Sequence, residues 1–250
     1  MKKKCLWLCM LVAITLLSAN YARAQKDTTR WMLMNEYRVH DESVVQKNYP
    51  ILRAWYLKAD ADIEVNRIAH TSESGRIYGL TFFKGPENFG TFMGTRVRLG
   101  DEFAAKEPAI VNENAKNANG PILRSTWIMR DSISTFEPGF KIENFDFRKL
   151  QFITVTADKT REFEAAVYKR LQIDAAHGIH YNSAVFKCVD GYPNNTYALF
   201  LPDKSMLDYY KNRDVRMSKR DAAKNDYGTL QKTLSDLGTV NRIDHLFRVK

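Results

Sequence analysis

The feature that most constrains this chain is an order of elements that occurs twice. The first pass runs strand, helix, strand, strand, helix, strand. Residues 31–40 (WMLMNEYRVH) read as a strand with mixed faces. Asp41 is placed to cap a helix to about residue 59, with Val44, Val45, Ile51, Leu52, Trp55 and Tyr56 at helical spacing. Pro50 should bend or split that helix. Residues 66–71 are a weak strand, 72–75 a turn and 76–83 (RIYGLTFF) a clear strand. Pro86 opens a helical stretch to about residue 115, which Gly90, Gly94 and Gly100 should interrupt. Asn119-Gly120-Pro121 stops it, and residues 122–130 (ILRSTWIMR) close the unit as a strand.

After a connector over 132–148 the order recurs. Strands are expected at 150–157, 183–189, 197–201 and 241–249, with helices over 159–173 and, interrupted, over 206–237. The two passes correspond at a nearly constant offset: Val39 with Val155, Gly75 with Asn195, Arg124 with Arg242, Arg130 with Arg248. The period is too long for a solenoid. It indicates a duplicated domain over 25–131 and 149–250, each half a split βαβ unit of the ferredoxin-like kind. One such unit covers a single sheet face with its two helices. The expected fold is therefore α+β, two fused ferredoxin-like βαββαβ repeats packed sheet to sheet, so that the bare faces bury each other.

Residues 1–24 belong to a different physical class. Lys2, Lys3 and Lys4 precede an apolar run over 5–17, and Ala22-Arg23-Ala24 supplies small residues before a cut at Gln25. This is the layout of a secretory signal peptide. The apolar run is shorter than the ~18–20 residues that span hydrocarbon, and no later stretch resembles a membrane span. A periplasmic or secreted address is expected. The full chain has a formal charge of +9. Residues 1–24 hold three Lys and one Arg, so the remainder has 34 basic against 29 acidic residues and a charge of +5. Those charges are interspersed, as in KADADIEVNR, rather than gathered into the basic patch that nucleic-acid binding requires. Two of the three cysteines also leave with the leader. Cys188 alone then permits no internal disulfide, and its alternating setting (AVFKCVDG) points to a buried, inert thiol.

Over essentially the whole chain after the leader, this layout resembles the dimeric α+β barrel superfamily, the antibiotic-biosynthesis-type monooxygenases and their relatives, in a fused two-repeat form. The resemblance rests on topology and carries no catalytic motif across. It implies a small molecule bound between sheet and helices, and haem in some members.

Three constellations could carry chemistry. Asp174-Ala-Ala-His177-Gly-Ile-His180 places oxygen and nitrogen ligands at every third position, a spacing able to hold a divalent metal, although Gly178 suggests a helix end and a capping role. Glu36, Arg38 and His40 alternate on one face of the first strand, and with Trp127 and His245 on the closing strands they are candidates to line a cavity for acid–base work or cofactor binding. The many aromatics fall largely on core positions, with Tyr192, Tyr209 and Tyr210 able to form an outer patch. Cofactor and substrate are unassigned by these patterns. A small-ligand-binding protein is the leading reading, followed by a cofactor-independent or haem-dependent monooxygenase-like enzyme. An interaction protein with a partner in the envelope is the third.

Overall fold

The protein is described from a computed structural model, which covers residues 30–59, 64–71, 75–84, 89–120, 122–141 and 144–249. The leader and its cut before Gln25 lie outside the described residues. Eight strands form a closed antiparallel barrel: β1 (Arg30–Arg38), β2 (Glu64–Thr71), β3 (Arg76–Lys84), β4 (Leu123–Met129), β5 (Phe147–Val155), β6 (Ala184–Asp190), β7 (Thr196–Asp203) and β8 (Gly238–Arg248), in the order β1-β3-β2-β8-β5-β7-β6-β4.

Each half places its first strand between its third and fourth, giving β4-β1-β3-β2 and β8-β5-β7-β6. The halves do more than stack. Thr71 in β2 pairs with Leu246 in β8, and Trp127 in β4 pairs with Cys188 in β6, so the sheets join edge to edge. Closure removes the unpaired edges that would otherwise template aggregation. Seven helices accompany the strands among the described residues: α1 (Glu42–Ala59), α2 (Phe89–Lys106), α3 (Pro108–Asn117), α4 (Thr160–Ala176), α5 (Met206–Ala222), α6 (Lys224–Tyr227) and α7 (Leu230–Leu237). No described helix is long and apolar enough to cross a membrane.

Alternation along each strand sends one set of side chains into the barrel and the next against the helices. Met32, Met34, Leu80, Trp127, Leu150, Phe152, Phe186, Phe200 and Leu246 fill the interior. Val155, Val185 and Tyr197 face outward, where Phe163, Val167, Leu230 and Leu234 of α4 and α7 cover them. Both faces of these strands are therefore occupied, which accounts for their mixed patterning.

Three local expectations are corrected. Pro50 does not split α1, which runs unbroken from Glu42 to Ala59. Pro50 and Gln46 are exposed, so water can satisfy the Gln46 carbonyl that the missing N–H leaves free. Nor do the glycines interrupt α2, which crosses Gly90, Gly94 and Gly100. The break falls instead before Pro108, which takes the first position of α3, where its missing N–H costs nothing. The third correction concerns Arg124 and Arg242. Arg124 points outward to Asn35, whereas Arg242 points inward to Glu36. They are not structural equivalents, because a slip of one residue reverses every side chain in a strand.

Candidate functional site

Two kinds of polar environment stand out, one at a barrel mouth and one under the helices. At the mouth, Glu36 of β1 receives Arg242 Nη2 at 2.7 Å, the Tyr192 hydroxyl at 2.6 Å and the Tyr78 hydroxyl at 3.2 Å. Asp244 accepts from Tyr78 at 2.5 Å. Arg242 Nε lies 3.0 Å from Asp244 Oδ2, yet its N–H is too poorly aligned to form a hydrogen bond. Arg76 stands 3.9 Å from both carboxylates. Two cations thus face two anions. The Arg242 guanidinium also lies 4.0 Å over the Phe152 ring, and Phe152 stacks on Tyr192. Burial, then the Glu36 charge, holds the Tyr78 hydroxyl far above the ordinary tyrosine range, while burial and the bond to Glu36 push Tyr192 up to about 12.

Glu36, Arg76 and Tyr78 come from the first half, and Tyr192, Arg242 and Asp244 from the second. The cluster is a charge-balanced clasp across the barrel. Gly191 sets its geometry. At φ +91° it brings the chain so close to β4 that an added Cβ would meet the Arg124 carbonyl oxygen and the Ser125 side chain.

The other expected residues scatter. Arg38 and His40 are exposed at the end of β1 and do not join Glu36, because the strand runs out of the barrel beyond that residue. Trp127 is interior and fully buried, its indole N–H donating to Ser125 Oγ at 2.8 Å. His245 is buried but lies between two inward residues, Asp244 and Leu246, and so faces outward. There it sits 3.0 Å from the Tyr210 hydroxyl under α5 and stacks on Phe147. Cys188 is buried and free, and burial pushes its thiol up, which keeps it protonated.

Asp174, His177 and His180 do not converge on a metal. Asp174 is buried and accepts from Arg220 (2.6 and 2.8 Å), Tyr227 (2.7 Å) and Tyr181 (3.1 Å). Burial opposes its charge, but those donors outweigh burial and hold its carboxyl below the usual range. His177 caps α4 and reaches Asp226 at 2.6 Å, and His180 is exposed. Gly178 at φ +62° turns the chain. The Ile179 N–H then returns to the Asp174 carbonyl and the Gly178 N–H to that of Ala175, a Schellman end that swings the residues apart. Among the described residues no group of three His, Cys, Asp or Glu is arranged to hold a metal ion.

Two cavities lie between sheet and helices, one in each half. The larger, about 450 Å³, is lined by β5–β8, α4 and α7. Ile153, Phe163, Val167, Val185, Leu199 and Leu234 make its walls apolar, while Arg170, Tyr181 and Gln151 add polar points. Arg170 Nε is buried there with no hydrogen-bond partner. The smaller, about 360 Å³, lies between β1, β3 and β4 and helices α1–α3. Both volumes fall in the range of small-molecule sites.

These features define an α+β protein of ferredoxin-like barrel architecture with paired sheet–helix cavities. No family model matches the chain, and no curated protein matches it. Solved structures share the fold at low identity. A provisionally assigned monooxygenase from Fusobacterium nucleatum aligns at TM-score 0.59 and 14% identity, covering 89% of this chain and 94% of that one. One from Lactobacillus acidophilus aligns at 0.57 and 13%, covering 89% and 95%. A haem-binding protein from Thermus thermophilus aligns at 0.50 and 7%, covering 88% and 92%. The fold is that of these monooxygenase-like and haem-binding barrels.

Haem itself does not fit the larger cavity as built. Among the described residues its walls bring no His, Cys or Met to the iron, and the Tyr181 hydroxyl is engaged with Asp174.

Sequence reasoning placed Glu36 and Trp127 on inward faces but missed Tyr78, Asp244 and the three cavity arginines, Arg96, Arg124 and Arg170. Arg242 and Asp244 share a face with apolar Leu246, a signal that was available. The two helical ones, Arg96 and Arg170, had none, since a helical arginine ordinarily faces water.

Proposed function

We propose that this chain is an exported protein that binds a small, largely apolar molecule in the cavity between β5–β8 and helices α4 and α7. The observation that supports it is the cavity of about 450 Å³ with apolar walls and one buried arginine nitrogen that lacks a partner. Apolar walls supply affinity and a single polar point supplies orientation. A ligand with an acceptor group near Arg170 would satisfy that nitrogen. Export is inferred from the leader, and intact mass of the protein recovered outside the cytoplasm would show a chain beginning at Gln25.

Binding is favoured over turnover by the character of the walls. Among the described residues they hold no carboxylate or imidazole to move a proton, and the carboxylates at the barrel mouth are balanced by arginines. The test is a fragment screen by saturation-transfer NMR on the protein and on Leu199→Trp, which fills the cavity. Fragments that bind the first and not the second support the reading. Equal binding to both would reject it.

A further inference from the structure

The cavity of the first half differs in charge from its counterpart. Arg96 of α2 lines it from above, and Nη1 of that guanidinium is fully buried with no hydrogen-bond partner. Arg124 of β4 stands at the exposed rim, where its Nε donates to Asn35 Oδ1 at 3.2 Å. Neither arginine makes an ion pair among the described residues, and no Asp or Glu is among the cavity's described lining residues. Three other partly buried arginines do have carboxylate partners: Arg220 has Asp174, Arg242 has Glu36 and Arg130 has Glu164. Burial holds Arg96 below the ordinary arginine range, and the nearby Arg124 charge adds to that depression. The Tyr56 hydroxyl compensates in part, while Asp101 acts on Tyr56 only at a distance.

Room for a ligand comes from one residue. Gly79 sits in the middle of β3 on the outward face, where a glycine weakens a strand and marks close approach of another group. A Cβ there would meet only Asn35 atoms, at 3.8 and 3.9 Å. The site is thus open for want of a side chain rather than by steric demand. Tyr37, Val45, Tyr49 and Leu52 make the remaining walls aromatic and aliphatic.

We infer that this cavity binds a small organic carboxylate, its anionic group held by Arg96 and Arg124 and its flat apolar body laid against Gly79 and the tyrosines. A carboxylate matches the planar guanidinium fork, and the burial of the Arg96 nitrogen strengthens that contact. Inorganic phosphate would fill the charge but leave the apolar walls unmatched.

The test is calorimetric titration of the chain with benzoate, 2-naphthoate, their neutral carboxamides and inorganic phosphate. We expect at least one carboxylate to bind saturably, and its carboxamide at least about tenfold more weakly, as expected for a charge-assisted bond. Arg96→Met should weaken the carboxylate by a similar factor without lowering the melting temperature, since it removes a buried cation that has no carboxylate partner among the described residues. Gly79→Val should abolish binding, and Leu199→Trp in the other cavity should leave it intact. Arg124→Gln, at the exposed rim, should also weaken the carboxylate while leaving the melting temperature unchanged. The inference is overturned if no carboxylate binds, if acid and amide bind alike, if phosphate binds as well as the carboxylates, or if neither Arg96→Met nor Gly79→Val changes the affinity.

Discussion

Glu36 in the first strand and Arg242 in the last meet at 2.7 Å inside the barrel mouth. The contact joins the two halves at a point where the backbone does not, since β1 and β8 are not neighbours in the barrel. Arg242→Met should therefore leave two carboxylates facing only Arg76. Loss of one partner of a buried pair costs on the order of 3–5 kcal/mol, and the partial exposure of Arg242 brings the expected value to about 1–3 kcal/mol. Urea unfolding monitored by circular dichroism would measure it, and a loss under about 0.5 kcal/mol would show the clasp to be incidental.

Gly191 makes that clasp possible. Gly191→Ala would force a side chain to within 2.4 Å of the Arg124 carbonyl oxygen at a φ of +91°. Strain of this kind costs about 1–3 kcal/mol in backbone conformation alone, with the clash added. The expected result is a melting temperature lower by many degrees and loss of the Tyr192 contact. An unchanged melting curve would contradict the described turn.

The long second helix of the first half makes the opposite prediction. Gly90 and Gly94 lie within α2, and a Cβ at either meets nothing within 4 Å. Gly94→Ala should stabilise by about 0.5–1 kcal/mol, because alanine loses less backbone freedom in a helix. Thermal denaturation of the single variant checks it.

Acid and base should act at different places. Asp174 has a lowered pKa, so its ion pair contributes stability above the ordinary aspartate value of ~3.9, lost as pH falls through the depressed folded value. Asp174→Asn should be less stable at neutral pH and show a flatter decline below about pH 4. Tyr37 and Tyr192 are raised to about 12, Tyr37 chiefly by burial. Their contribution is complete below ~10 and lost as pH rises through about 12, so absorbance at 295 nm should show tyrosines that ionise only as the fold opens.

Much of the architecture was legible in the strand and helix order, because periods of 2 and 3.6 are kept along the chain. The edge-to-edge closure was not, since it depends on hydrogen bonds between β2 and β8 and between β4 and β6, which leave no local mark. The matching of Arg124 with Arg242 misled in register: similar residues one position apart face opposite sides. Glu36 was identified from alternation on its strand, but its partners lie far along the chain. His245 and the Asp174–His180 run were drawn into candidate sites by residue type. The outward face of β8 and the turn at Gly178 send them elsewhere.

The central claim is that the ligand lies between sheet and helices, not inside the barrel. Methyl NMR of the protein titrated with a fragment from the screen tests it directly. Methyls of Val167, Val185, Leu199 and Leu234 should shift, while those of Leu80, Leu150 and Leu246 in the barrel core stay in place. Shifts confined to the core methyls, or none at saturating fragment, would contradict it.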